Sequence, residues 1–188
     1  MADNNSFQID RFKSNFKTGG ARPNLFRVMV DMSAGQGGGD KLTFTCRAAS
    51  LPAATLGTIE VPYFGRKVKV AGDRTFAEWS ITVLNDEDFI VRRSFELWNN
   101  RINSHNANVR AAGVYNIEGG SGAYKKNADI YHYDKKGNTI AQYRMLGSYP
   151  SEIGAIEMAW DTNDTIEEYQ IVMQYDYWES VQPGPGIY

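Results

Sequence analysis

Residues 71–86, AGDRTFAEWSITVLND, constrain the fold of this chain more than any other stretch. A Gly-Asp turn opens it, and Trp79, Ile81 and Val83 then alternate onto one face of a strand predicted over 77–84. Asn85 is a favourable N-cap, and Asp86, Glu87 and Asp88 complement the positive end of a helix dipole. Downstream, Val91, Phe95, Trp98 and Ile102 recur at helical spacing as one apolar stripe, while Arg92, Arg93, Glu96, Asn99 and Asn100 fall largely off it. The pattern predicts a helix over 86–102 that buries this structural stripe against a sheet. On either side the chain alternates with period two or breaks at Gly and Pro, which reads as β.

A first strand is predicted over 24–32, with Phe26, Val28 and Val30 on one face and Leu25, Arg27 and Met29 on the other. The glycine run AGQGGGD (34–40) reads as a hairpin turn: it lacks the lysine of a P-loop and leads into an alternating segment, 41–47, expected as a strand. Residues 48–72 contain Pro52, Gly57, Pro62 and Gly65, with short strands expected at 58–63 and 66–71. Leu51, Leu56, Ile59, Val61, Tyr63 and Phe64 are too many apolar residues for a solvated loop. An extended hairpin that docks elsewhere, with another subunit as candidate acceptor, explains them. Further strands are predicted at 128–133 and 139–146, joined by a DKKGN turn, then a break at 147–150, a short strand at 155–160, a turn at 161–164 and a long last strand over 166–178. The result is about nine strands and one helix, a mainly β antiparallel barrel or sandwich with one flanking α-helix. The expected organisation is a flexible arm over 1–20, with phenylalanines at 7, 12 and 16, one domain over 21–179, and a flexible tail over 180–188 whose PGPGIY end cannot continue a sheet.

Composition narrows the function. The 188 residues suit a single domain. A net charge of −2 argues against gripping nucleic acid through its phosphates and leaves little self-repulsion to oppose packing with copies of itself. Cys46 is the only cysteine, so it reads as a small core residue in a protein of a reducing compartment. The N-terminus lacks a signal-peptide core and no run approaches the ~20 apolar residues of a membrane span, so a soluble protein made in the cytosol is expected.

No catalytic constellation emerges. His105 and His132 are unclustered, and with one cysteine they do not supply the three or four ligands of a zinc site. No serine has nucleophile-elbow spacing. Asp73 and Arg74 read as a turn aspartate capping its own backbone beside a bridging arginine, and Asp86–Asp88 as a helix start. The turn with Asp161, Asn163 and Asp164 lacks the glycine and closing glutamate of a calcium loop. No enzyme activity, metal or cofactor is expected.

Several segments together resemble the tail tube protein of contractile-tailed, T4-like bacteriophages: ARPNLFRV (21–28), TFTCRAASLPA (43–53), RKVKVAGDRTFAEWSITVLND (66–86), AYKKNADI (123–130) and DYWE (176–179). They keep that family's order; the glycine loop at 35–39, residues 101–112 and the tail beyond 179 depart from it. The resemblance implies a tail-tube fold, similar to type VI secretion tube proteins, and hexameric rings stacked into a hollow tube inside a contractile sheath. It also implies partners: further copies of itself, the sheath, baseplate and tail terminator proteins, and the tape-measure protein and DNA passing through the lumen. The protein would then reside in the virion tail and be assembled in the host cytoplasm. Candidate subunit-interface residues are Leu51, Pro52, Leu56, Ile59, Tyr63, Phe64, Arg66, Asp73 and Arg74. The rival readings are a tube of a pyocin-like or type VI secretion-like particle and a small-ligand β-barrel carrier.

Overall fold

The computed structural model describes residues 9–15, 20–32, 38–106 and 124–181. In chain order they form α1 (Ile9–Asn15), β1 (Phe26–Val30), α2 (Gly38–Thr45), β2 (Cys46–Ala49), β3 (Ala54–Tyr63), β4 (Arg66–Phe76), β5 (Trp79–Leu84), α3 (Ile90–Ile102), β6 (Lys126–Tyr133), β7 (Thr139–Ile153), β8 (Glu168–Gln174) and β9 (Tyr177–Val181). Seven strands form one antiparallel sheet in the order β1-β6-β7-β8-β5-β2, with β9 paired to β7 off that path, and β3 and β4 form a separate hairpin. The protein is thus mainly β and antiparallel, as the alternation predicts.

The long strand β7 joins the two halves. Its first part pairs with β6 and β9, and from Tyr149 onward it pairs with β8. Inward side chains from both halves meet in one core: Val28 and Ile130 on one side, Trp79, Ile81, Ile171 and Met173 on the other. In β5 the burial alternates residue by residue, so Trp79, Ile81 and Val83 are all interior. The helix α3 covers this core with Val91, Phe95 and Trp98 buried and Ile102 packed at the margin. Phe95 and Trp98 stack with centroids 6.2 Å apart, and the Trp98 indole N–H donates to the Tyr124 carbonyl at 2.8 Å, so burial leaves no orphaned donor.

Several expectations are corrected. The segment expected as a strand over 41–47 is helical to Thr45 and only then extended. Period-two alternation is overridden by packing: Leu42 is buried, Phe44 points out, and the Thr43 and Thr45 hydroxyls bond carbonyls one turn back. Gly38 lies so close to α3 that a Cβ there would sit 2.3 Å from the Ser94 hydroxyl, which explains a glycine at this helix start. The glycine run therefore leads into a helix and not a strand, its residues 33–37 lying outside the described ones.

The predicted helix start at residue 86 is also displaced. Phe89 adopts a left-handed conformation (φ 52°), and α3 begins only at Ile90. Asn85 does not cap it; its amide donates to Glu167 at 2.8 Å. Asp86 and Asp88 instead hold Lys41 of α2, Asp86 at 2.5 Å, and Asp88 also accepts from the Ile90 N–H at 3.1 Å. These hydrogen bonds from Lys41 hold both carboxyls below their ordinary range and raise the lysine.

The predicted break at 147–150 lies within β7, and the predicted last strand is divided at Tyr175 and Asp176 into β8 and β9. The two irregularities are coupled: Asp176 N–H donates to the Leu146 carbonyl, and the Asp176 carboxylate pairs with Lys125 at 2.6 Å. No strand forms over 155–160, which is an exposed loop. The arm expected over 1–20 carries α1, whose Ile9 is exposed; its phenylalanine positions 7 and 16 lie outside the described residues, as does the tail beyond 181. Among the described residues no helix is long and apolar enough to cross a membrane.

Candidate assembly surface

The strands of the β3–β4 hairpin are longer than the expected 58–63 and 66–71, and the hairpin is shifted from 48–72 to 54–76. Each arm spans roughly 30 Å at about 3.4 Å per residue. Its register pairs Ile59 with Val70, Val61 with Val68 and Tyr63 with Arg66. Because side chains alternate across the pleat, Ile59, Val61, Tyr63, Val68 and Val70 share one face, while Thr58, Glu60, Lys67 and Lys69 share the other. Lys67 bridges Glu60 at 2.7 Å on the polar face. The apolar face stands in solvent in the isolated chain.

The turn carries a second anomaly. Phe64 (φ 42°) and Gly65 (φ 80°) both lie in the left-handed region, as a two-residue type I′ turn requires. Gly65 adopts this without cost, but a bulky residue such as Phe64 does so at roughly 1–3 kcal/mol. Phe64 is 91% exposed and meets Tyr63 edge-on at 4.7 Å. An aromatic knob thus stands at the tip despite local strain and without burial in the core.

The foot, in contrast, is clamped. Trp79 donates its indole N–H to the Ser50 carbonyl at 2.7 Å, Ala77 N–H reaches the Ala53 carbonyl, and Phe76 packs against Tyr175 with centroids 6.1 Å apart. Pro52, a candidate interface residue by sequence, is buried in this foot and so is not available as surface. Leu51 is exposed beside it, on the rim of an apolar pocket of about 310 Å³ lined also by Phe26 and Ile130. Leu56, Ile59, Tyr63, Phe64 and Arg66 lie on the arm itself; Asp73 and Arg74 lie within β4 beside a bulge and not in a turn. The tip is Phe64–Gly65, so residues 51–59 are foot and lower arm.

A second exposed apolar region was not evident from the sequence pattern. The β7–β8 loop, residues 154–167, shows Met158, Trp160 and Ile166 to solvent, Trp160 fully. It is anchored by Ile156 against the core and by Gly154 N–H to the Gln170 carbonyl at 2.7 Å, and within it the Thr162 hydroxyl donates to the Ala159 carbonyl at 2.9 Å. The sequence signal was a charge bias: 152–168 holds six acidic residues and no basic one. Behind the loop, burial pushes Tyr169 up to about 12, and the Arg92 guanidinium lies 5.1 Å from that ring.

A core filled by side chains, bearing an apolar arm held clear of it, defines a subunit built to join other chains. The comparisons agree. Residues 3–181 match the family described as phage tail tube protein. The chain is 36% identical over 174 residues to the tail tube protein gp19 of Enterobacteria phage T4, covering 91% of this chain and 99% of that protein. It is 23% identical to the tail tube protein of Serratia phage KSP90 over 172 residues, 89% of this chain and 93% of that one. Among solved structures, the tube-terminating cap of the anti-feeding prophage superposes with a TM-score of 0.59 at 15% identity, over 87% of this chain and 91% of that one. A chain of an extracellular contractile injection system's sheath-tube complex gives 0.53 at 16% identity, over 94% and 99%. The chain belongs to the phage tail tube protein family and is a structural subunit of a bacteriophage tail.

Proposed function

We propose that copies of this protein form hexameric rings that stack into a hollow tube inside a contractile sheath, and that the β3–β4 hairpin is the arm by which one copy grips another. The observation that carries this is the contrast between a clamped foot and an apolar face left in solvent along an arm of ten and eleven residues. A two-stranded hairpin is marginal in water by itself, so such a face needs a covering surface. The role is structural and needs no catalytic group, metal or cofactor. Its partners are further copies, then the sheath, baseplate and tail terminator proteins around the tube. Assembly takes place in the host cytoplasm, and the tube resides in the virion.

The lumen conducts first the tape-measure protein and then the genome. A weak phosphate contact repeated on every subunit would brake DNA, because each neutralised phosphate adds to a salt-dependent affinity. The lumen face therefore carries more acidic and neutral polar side chains than Lys or Arg. Size-exclusion chromatography and negative-stain microscopy of purified protein test the assembly: rings and tubes are expected, and a persistent monomer contradicts it. Retention of linear duplex DNA by tubes at low salt, lost as salt rises, would overturn the lumen reading.

A further inference from the structure

We infer that the acceptor for the hairpin is the 154–167 loop of a second copy, which makes the contact between copies head to tail. The inference rests on the hairpin reading above and adds its receptor. Topology supplies the first argument. In the β5–β8 ladder Trp79 pairs with Met173 at one end and Leu84 with Glu168 at the other. The hairpin leaves the sheet at the Trp79 end, through Phe76 and Ala77, whereas the loop enters at the Glu168 end. The two surfaces therefore sit at opposite ends of the same strands, roughly 17 Å apart along them at about 3.4 Å per residue. A contact between unlike surfaces at opposite ends repeats indefinitely, as a stack requires.

Charge supplies the second. Over Ala54–Phe76 the hairpin carries four basic residues against Glu60 and Asp73. Arg66, paired across from Tyr63, is the basic residue on the apolar face, whereas Lys67 and Lys69 lie on the other face, Lys67 bridged to Glu60. The loop carries only acids. Glu167 and Glu168 are engaged within the chain by Asn85 and Arg47, and Glu157, Asp161 and Asp164 remain exposed. Opposite potentials on two exposed surfaces steer association and fix its register. Apolar character supplies the third. Ile59, Val61 and Val68 need a cover, and Met158, Trp160 and Ile166 are among the most exposed apolar side chains of the chain. Under the loop lies a groove of about 1150 Å³ floored by Thr82, Leu84 and Gln170. That exceeds the ~300–1,000 Å³ of small-molecule pockets and suits a segment of polypeptide.

The test is reciprocal charge reversal in the full chain, read by sedimentation and negative stain, with circular dichroism confirming the fold of each variant. Arg66→Glu, on the apolar face beside Tyr63, and separately Asp161→Lys with Asp164→Lys, should each lower the tube fraction at least roughly tenfold, since like charges then face each other. All three changes in one chain should restore it. A loss with the hairpin change, no change with the loop pair and no restoration would overturn this inference while leaving the hairpin reading intact. Normal tubes from a chain whose residues 58–71 are replaced by a Gly-Gly turn would overturn both.

Discussion

Two apolar surfaces of this protein have nearly the same chemistry and opposite fates. The stripe of α3, with Phe95 and Trp98, is buried against the sheet; the face of β3–β4, with Ile59, Val61, Val68 and Val70, is in water. Both are amphipathic elements by pattern. They differ in what the chain itself supplies to cover them: α3 finds β7 and α2, whereas among the described residues the hairpin packs chiefly as its own two strands, clamped to the body at its foot. The lesson is that periodicity reveals that a face wants burial but not whether its partner lies in the same chain.

That contrast can be broken in graded ways. The largest effect is expected from Phe95→Ala, which empties a site with no exposed surface and should cost about 3–5 kcal/mol. Thermal unfolding or insolubility reads it, and an unchanged melting temperature would show that the stripe is not core. Trp79→Phe removes the indole donor to Ser50 while keeping most of the ring volume, so about 1 kcal/mol is expected. Faster proteolysis at the hairpin foot should accompany it.

The Lys41 clamp has a pH signature. Asp86 and Asp88 have folded pKa values below their unfolded ones, so their stabilisation is present above the ordinary carboxylate range and is lost as pH falls through the folded values. Melting temperatures measured from neutral pH downward should therefore fall less steeply in Lys41→Met than in the parent. Identical slopes would show that the clamp contributes nothing. The smallest effect concerns Cys46, whose thiol burial pushes up to about 12. With its thiolate disfavoured, its alkylation in the folded protein at pH 8 should run slower than in denaturant. Comparable rates would show that the fold does not shield this half-buried thiol.

Much of the fold was legible in the sequence. The alternation of Trp79, Ile81 and Val83 and the helical spacing of Val91, Phe95 and Trp98 both announce buried faces, and the buried residues are those. What failed were decisions made by tertiary contact. Leu42, Phe44 and Cys46 alternate like a strand, yet Lys41 reaching Asp86 and Asp88 and the close approach of Gly38 to Ser94 accompany a helix. Asn85 looks like a cap but is claimed by Glu167 from across the sheet. The hairpin was visible as an excess of apolar residues, and strands at 58–63 and 66–71 leave the turn at Phe64–Gly65 where it is found; what the pattern missed is that the strands run on to Ala54 and Phe76. Pro52 looked like surface and is foot. Around Trp160, Ile156, Met158 and Trp160 alternate as in a strand, yet none forms: Ile156 packs on the core while Met158 and Trp160 stand in solvent.

The most direct test of the account uses Ile59→Ser together with Val68→Ser, which changes only the solvent-facing apolar side of the arm. As surface substitutions in the isolated chain they should move subunit stability by no more than about 0.5 kcal/mol. Thermal unfolding and tube yield are measured on the same preparation. An unchanged melting temperature with tubes abolished is the predicted result; intact tubes, or a subunit that unfolds, would contradict the claim that this face is held for another copy.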